Sequence, residues 1–167
     1  MNKKYSCYIL ILFVISIAHA RSQTFKSEND FKNYFTDHIA TLDPAEGLWK
    51  VVTSQEFYNF DTLYDKKSFV QTVAILKRDS AFLTYDMKGE EYNVYFTKTN
   101  VNKVYLFKIY LKEINQYTKT DAVIAAGNTM NYTYEFPEEY LRLMFKNTFE
   151  KGDRVVNAVN WDKVFPK

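Results

Sequence analysis

The apolar and polar positions of the chain follow one period before residue 47 and another after it. In SENDFKNYFTDHIATLDP, the apolar and aromatic side chains recur at the spacing of a helix: Phe31, Tyr34, Phe35, His38 and Leu42. Ser27 is suited to cap such a helix, with Asp30 as its third residue, and Asp43-Pro44 stops the pattern. One amphipathic N-terminal helix is therefore predicted.

From Gly47 onward the period is two, as in a β-strand. In MNYTYEF, Met130, Tyr132 and Tyr134 fall on one face, with polar residues between them. Short separators such as MKGE and TNVN predict tight turns, which join antiparallel neighbours. Eight strands are predicted, over Gly47–Ser54, Phe69–Lys77, Ser80–Asp86, Glu91–Lys98, Lys103–Leu111, Thr120–Ala126, Thr129–Phe136 and Arg154–Phe165.

These strands predict a mainly β fold, an eight-stranded antiparallel barrel preceded by the helix. Half-buried strands can hide their apolar face by curling into a closed sheet, which also removes unpaired edges. The composition agrees, because 14 Tyr and 14 Phe favour strands and only 3 Pro interrupt the chain. The expected organisation is a helix and turn over residues 21–45, followed by one barrel domain over residues 46–167.

Two segments do not fit an uninterrupted meander of short strands. QEFYNFDTLYDKK, from Gln55 to Lys67, is expected to be a long first loop whose aromatic side chains need cover. Pro137–Phe145 begins with a proline and two acids, which suits the N-terminus of a helix. For this second segment, a short helix before the last strand and a ninth strand are both open.

The N-terminal segment has the pattern of a secretory signal peptide over residues 1–20. Lys3 and Lys4 precede the apolar run YSCYILILFVISIA, and Ala18-His19-Ala20 forms a small-x-small cleavage site. The apolar run is shorter than the roughly 20 residues that a membrane span requires, so no membrane anchor is expected after cleavage. The mature protein should be exported, either to a periplasm or outside the cell.

The charge of the chain limits the partners that the sequence predicts, and its Cys and His content limits the chemistry. Residues 1–20 carry two lysines and no acid, so the mature chain is formally neutral, and its dispersed cations argue against a nucleic-acid partner. The only cysteine, Cys7, lies in the predicted signal peptide, and the mature chain keeps one histidine, His38. No catalytic residue, metal site or cofactor is predicted. A hydrolase or isomerase would require Glu46, His38 and Arg154 to converge.

The segment LDPAEGLWKVV carries the most specific local signal. A glycine and a tryptophan, Gly47 and Trp49, open the first predicted strand directly after the helix. This G-x-W motif, followed by seven further strands, resembles the lipocalins. The resemblance implies a Trp49 that closes one end of the barrel and an arginine packed over it, with Arg154 as the first match and Arg142 as the second. The D-P-x-E-G-x-W string is also similar to a segment of small exported bacterial proteins of unknown function.

A lipocalin-like barrel would act as a cup for a small apolar or aromatic ligand, with no metal or cofactor. Phe57 and Phe60, in the expected first loop, would form its lid. The candidate lining residues are Tyr92, Val94, Phe96, Tyr105, Phe107, Ile109, Met130, Tyr132 and Tyr134. The alternative is a barrel filled by these rings, which would serve as an interaction module for a protein partner. The sequence leaves the cup and the solid barrel open.

Overall fold

A computed structural model describes residues 25–126, 128–146 and 148–167. The predicted signal peptide and Cys7 lie outside these residues. The elements in chain order are α1 (Glu28–Asp37), a 3₁₀ turn (Ile39–Thr41), β1 (Gly47–Asn59), β2 (Thr62–Arg78), β3 (Ala81–Tyr85), β4 (Glu91–Lys98), β5 (Val104–Leu111), a 3₁₀ turn (Lys112–Ile114), β6 (Gln116–Ala125), β7 (Thr129–Glu135), α2 (Glu138–Met144) and β8 (Asp153–Phe165).

The strands form one closed antiparallel barrel in the order β1 to β8. The last strand closes the sheet by pairing with the first along almost its whole length, from Leu48 opposite Phe165 to Asn59 opposite Asp153. The predicted mainly β, eight-stranded barrel with an N-terminal helix is confirmed. The segment before the last strand contains the short helix α2, so the alternative of a ninth strand is wrong.

The expected long loop at Gln55–Lys67 is wrong, because β1 and β2 continue through it as a hairpin. They pair as far as Asn59 opposite Thr62, with a β-bulge at Phe57/Tyr58. Phe60 in the two-residue turn takes a left-handed backbone conformation, with φ of 50°. The hairpin extends beyond the strands that neighbour β2, since β3 pairs only with Ala74–Arg78.

The inner faces of the strands fill most of the barrel with apolar side chains. In the described part of the chain, the buried residues of this core are Ala45, Trp49, Val51, Val73, Ile75, Phe82, Phe96, Tyr105, Phe107, Ala122, Ile124, Met130, Tyr132, Val159 and Trp161. Aromatic rings pack edge-to-face through it, for example Phe96 against Trp161 with centroids 5.6 Å apart. The even-numbered positions of β1 face outward, which follows from the period of two.

Helix α1 covers part of the outer face of the barrel. Its N-cap is Ser27, whose hydroxyl accepts a hydrogen bond from the Asp30 backbone N–H, as the sequence predicts. Phe31 and Phe35 are fully buried against outward-facing residues of β1 and β2, in a cluster with Phe25, Leu48, Ala74 and Leu76. Over the ranges that the structure describes, no helix is both long enough and apolar enough to span a bilayer.

The two ends of the barrel differ in the segments that form them. The floor is the end formed by residues 43–49 together with the end of β8. The rim is the opposite end, formed by the hairpin residues 55–67 and by residues 137–146 and 148–155, which include α2. At the floor, Gly47 has a φ of 143°, and a Cβ there would collide with the backbone carbonyl of Phe165.

Candidate ligand pocket at the rim of the barrel

Within the described residues, a cavity inside the barrel and a cavity at its rim differ in size. The cavity inside the barrel has a volume of about 100 Å³. The cavity at the rim, between the β1–β2 hairpin and α2, has a volume of about 500 Å³. Pockets for small organic ligands usually have volumes of roughly 300–1,000 Å³, so of these two cavities the one at the rim has room for such a ligand. We call it the rim pocket.

The rim pocket exists because the hairpin and the segment before β8 both project beyond the barrel. Leu141 of α2 packs with Phe57 and Val155, which pair across β1 and β8. The apolar part of the wall consists of Phe57, Tyr64, Leu141, Phe145, Phe149 and Val155. The ring of Phe57 meets that of Phe145 edge-to-face, with centroids 6.4 Å apart.

The polar part of the wall contains both hydrogen-bonded and charged groups. It consists of Asn59, Asp65, Lys67, Thr148, Glu150 and Asp153. The Asp153 carboxylate accepts hydrogen bonds from Asn59 Nδ2 at 2.9 Å and from the Glu150 backbone N–H at 2.8 Å, which ties the loop before β8 to the hairpin. Lys67 Nζ lies 3.5 Å from Asp65 Oδ2 and 5.0 Å from the centroid of the Phe57 ring.

The residues predicted to line a cup separate into a packed group and a group beside the small inner cavity. Phe96, Tyr105 and Met130 are packed in the core with about 1% of their surface exposed. The inner cavity is bordered by the other candidates, Tyr92, Val94, Phe107, Ile109, Tyr132 and Tyr134. The strand pattern therefore identified the inward-facing positions, but the rings themselves occupy most of the space between them.

Two of the inward-facing polar rings are linked to each other. Trp161 Nε1 donates a hydrogen bond to the Tyr132 hydroxyl at 2.9 Å, and both side chains are buried. Burial raises the pKa of the Tyr132 hydroxyl well above its usual value, and burial raises that of Tyr134 to about 12. Both phenols are therefore neutral at physiological pH.

Trp49 lies at the floor and is fully buried. Its indole Nε1 donates to the Ala45 carbonyl at 2.9 Å, and its ring meets Trp161 edge-to-face at 6.3 Å. The cation over this ring is Lys163, whose Nζ lies 5.5 Å from the ring centroid. The ammonium of Lys163 also donates to the Pro44 carbonyl at 3.0 Å, and burial lowers its pKa.

Arg154 does not pack over Trp49, which corrects the expectation drawn from the lipocalin resemblance. Arg154 is opposite Tyr58 at the rim, with its guanidinium 4.5 Å from the centroid of that ring. The reason is topological, because β8 runs antiparallel to β1, so the start of β8 lies far from the start of β1. The second match, Arg142, lies in α2 and pairs with Glu138.

Phe60 is not a lid over the barrel. It is 62% exposed in the turn of the hairpin, where its backbone N–H donates to the Gly152 carbonyl at 2.8 Å. Its ring lies against Gly152, because a Cβ on that glycine would come within 2.8 Å of the ring. Phe60 therefore anchors the loop before β8 to the hairpin, whereas Phe57 lines the rim pocket.

The three residues considered for catalysis do not converge. Glu46 is buried at the floor, and its two carboxylate oxygens accept hydrogen bonds from the backbone N–H groups of Asp43 and Lys77, each at 3.0 Å. His38 is exposed at the end of α1, while Arg154 lies at the rim. Among the described residues, no group of three or more His, Cys, Asp or Glu side chains is placed to hold a metal ion.

Most residues of the rim pocket were not identified from the sequence. Asp65 and Lys67 fall in the segment for which the sequence predicts a loop. Phe145 ends the segment for which it permits either a helix or a strand, and Phe149 follows that segment. The available signal is the run of aromatic residues in Gln55–Lys67, whose apolar surface requires cover. The sequence did not indicate that the covering surface is α2.

Comparisons with known proteins do not add a family or a relative, since no family model, curated protein or solved structure matches this chain.

Proposed function

We propose that the protein is an exported, lipocalin-like carrier or sensor that binds a small apolar or aromatic molecule in the rim pocket. The observation that carries the proposal is the cavity of about 500 Å³ with an aromatic wall beside the closed barrel. Apolar walls with a few placed polar groups are the usual composition of ligand pockets. The proposed ligand therefore lies at the mouth of the barrel and not in its interior.

A buried polar group near the pocket supports a ligand or water at the rim. The Asn157 side chain is 1% exposed, and its Nδ2 has no hydrogen-bond partner in the described part of the chain. Asn157 lies on the inner face of β8 between Val155, which lines the rim pocket, and Val159, which borders the inner cavity. A buried donor without an acceptor costs about 1–3 kcal/mol, so an acceptor reaching this position from the rim pocket would be stabilised.

The proposal is tested with the neutral apolar dye Nile red, by fluorescence titration, and with native mass spectrometry of the purified protein. Phe145→Ala removes a ring from the pocket wall and should weaken dye binding. Leu143→Ala is the matched control, because Leu143 is similarly exposed on α2 but does not line the pocket. The proposal is wrong if the protein takes up no dye and carries no ligand, or if both variants bind the dye equally well.

Export is part of the proposal and has its own test. The full chain expressed with a C-terminal tag should lose residues 1–20 and leave the cytoplasm, which N-terminal sequencing and cell fractionation would detect. Retention of an uncleaved chain in the cytoplasm would refute this part without affecting the binding proposal.

A second candidate function, binding a protein partner, is favoured by the free edge of β2. Since β3 pairs only with residues 74–78, the earlier part of β2 has no strand beside it on that side within the described residues. Phe69 and Val70 on this edge are 53% and 63% exposed. Exposed, unpaired edges are able to accept a further strand. Val70→Lys should then reduce self-association or partner binding, measured by light scattering coupled to size-exclusion chromatography.

A further inference from the structure

The rim pocket carries more negative than positive charge. Three carboxylates line it, those of Asp65, Glu150 and Asp153, together with one ammonium, that of Lys67. The ammonium is 3.5 Å from Asp65, so these two charges largely compensate each other. In the described ranges, neither Glu150 nor Asp153 forms an ion pair, and Asp153 is hydrogen-bonded only to the neutral donors Asn59 Nδ2 and the Glu150 N–H.

The same negative charges affect the phenol of Tyr64, which also lines the pocket. The side chain is mostly exposed, and the pKa of its hydroxyl is raised, first by its partial burial and then by the negative charges of Asp153, Asp65 and Glu150. A negative potential disfavours the phenolate because it would add another negative charge. The same potential favours a positively charged group on a ligand.

The aromatic faces of the pocket suit a cation as well. The ammonium of Lys67 already lies 5.0 Å from the centroid of the Phe57 ring, within the range of a cation–π contact. The ring of Tyr64 also packs against that of Phe57, with centroids 6.3 Å apart, and Phe145 meets Phe57 edge-to-face. Aromatic rings next to carboxylates form the combination that recognises organic ammonium groups.

We propose that the ligand of the rim pocket is an organic cation, with an apolar body against Phe57, Leu141 and Phe145 and a positively charged head group near Glu150 and Asp153. This inference rests on the proposed function and specifies the chemical class of its ligand. Lys67 then acts as an internal competitor, because its ammonium occupies one aromatic face and reduces the negative potential of the pocket.

The proposal is tested with three probes that share a ten-carbon chain and differ in charge: decyltrimethylammonium, decanol and decanoate. Each is titrated below its critical micelle concentration by displacement of Nile red and by isothermal calorimetry. The cation should bind at least about five-fold more tightly than decanol, and decanoate should bind most weakly. The preference for the cation should decrease as salt is added, because the rim is accessible to solvent.

Two substitutions separate a cationic ligand from an anionic one. Lys67→Gln should increase the affinity for decyltrimethylammonium by about two- to five-fold, whereas a pocket that binds anions would lose affinity for decanoate. Glu150→Gln should decrease the affinity for the cation by about two- to five-fold. Glu90→Gln, in the turn before β4, is the matched control and should leave all three affinities unchanged. Thermal unfolding confirms that each variant is folded.

The outcomes distinguish the two proposals. If decanol or decanoate binds as tightly as the cation, or if Lys67→Gln weakens binding of the cation, the ligand class is wrong but a rim-pocket ligand is still supported. If none of the three probes and no Nile red binds to the folded wild-type chain, the proposed function fails as well.

Discussion

The floor and the rim are opposite ends of one barrel, yet their side chains are organised differently. At the floor, Trp49 is fully buried, and the charged groups around it have partners in hydrogen bonds or ion pairs. At the rim, Tyr64 is 58% exposed and Phe145 is 40% exposed, and the β1–β2 hairpin and the segment around α2 enclose a cavity of about 500 Å³. We infer that the packed floor contributes most of the stability, whereas the more exposed rim is available for binding.

The closure of the floor depends on the acidic turn before β1. The Asp43 carboxylate accepts hydrogen bonds from the Tyr105 hydroxyl, from the Ala45 backbone N–H at 3.1 Å and from Lys98 Nζ at 2.9 Å. Burial alone would raise the pKa of Asp43, but these three donors outweigh burial and hold the pKa below its usual value. Asp43 and Glu46 thus position the turn that places Trp49 in the barrel.

The largest effect is expected from removing the indole at the floor. Trp49→Ala should lower the free energy of unfolding by about 3–5 kcal/mol, because it leaves a large cavity and removes the hydrogen bond to Ala45. Urea denaturation followed by circular dichroism measures this loss. Trp49→Phe keeps most of the side-chain volume and should therefore lower the free energy of unfolding by less than the alanine variant does. If the alanine variant lost less than about 1 kcal/mol of its free energy of unfolding, the floor would not be the main source of stability.

A smaller effect is expected from Asp43→Asn, with a defined dependence on pH. Removal of the charge should lower the free energy of unfolding by about 1–3 kcal/mol at pH 7. Lys98 loses its counterion, and the Ala45 N–H and the Tyr105 hydroxyl donate to a weaker acceptor. The pKa of Asp43 is lowered in the folded state, so its stabilisation is present above the unfolded value of about 3.9 and is lost as pH falls. Melting temperatures of the two proteins should therefore converge in acid. A gap that stays constant from pH 7 to pH 3 would contradict this assignment.

The smallest effect on stability is expected at the rim. Tyr64→Ala should change the free energy of unfolding by less than about 1 kcal/mol, because the side chain is mostly exposed. The same substitution should weaken the binding of an apolar ligand by about five-fold or more. Tyr117→Ala, at another exposed tyrosine, is the control and should leave binding unchanged. Equal losses of affinity in both variants would show that the effect is not specific to the rim pocket, which contradicts the assignment of binding to the rim.

The barrel was predictable from the sequence because its strands have one buried and one exposed face. In β7, Met130 and Tyr132 are buried while Asn131 and Thr133 are exposed, so the period of two is visible. The early part of β2 has no such signal, since every residue from Thr62 to Gln71 is exposed. A strand without a buried face cannot be recognised by alternation, which explains why this hairpin was expected to be a loop.

The site was harder to predict than the fold. Alternation placed Phe107 and Tyr132 inside the barrel, but whether inward-facing rings leave a cavity depends on how their volumes fill the interior. Phe57 belongs to the rim pocket only because α2 folds over the hairpin, a long-range contact between Phe57 and Leu141 that no local pattern contains. The correct cation was predictable from the barrel topology, because antiparallel pairing of the first and last strands brings Lys163, and not Arg154, beside Trp49.

The central claim, that a ligand binds at the rim and not inside the barrel, is tested most directly by NMR on methyl-labelled protein with bound decanol. We expect intermolecular nuclear Overhauser effects from the ligand to the methyl groups of Leu141 and Val155. Contacts to Ile109 and Val159, without contacts to Leu141 and Val155, would contradict it and place the ligand in the interior.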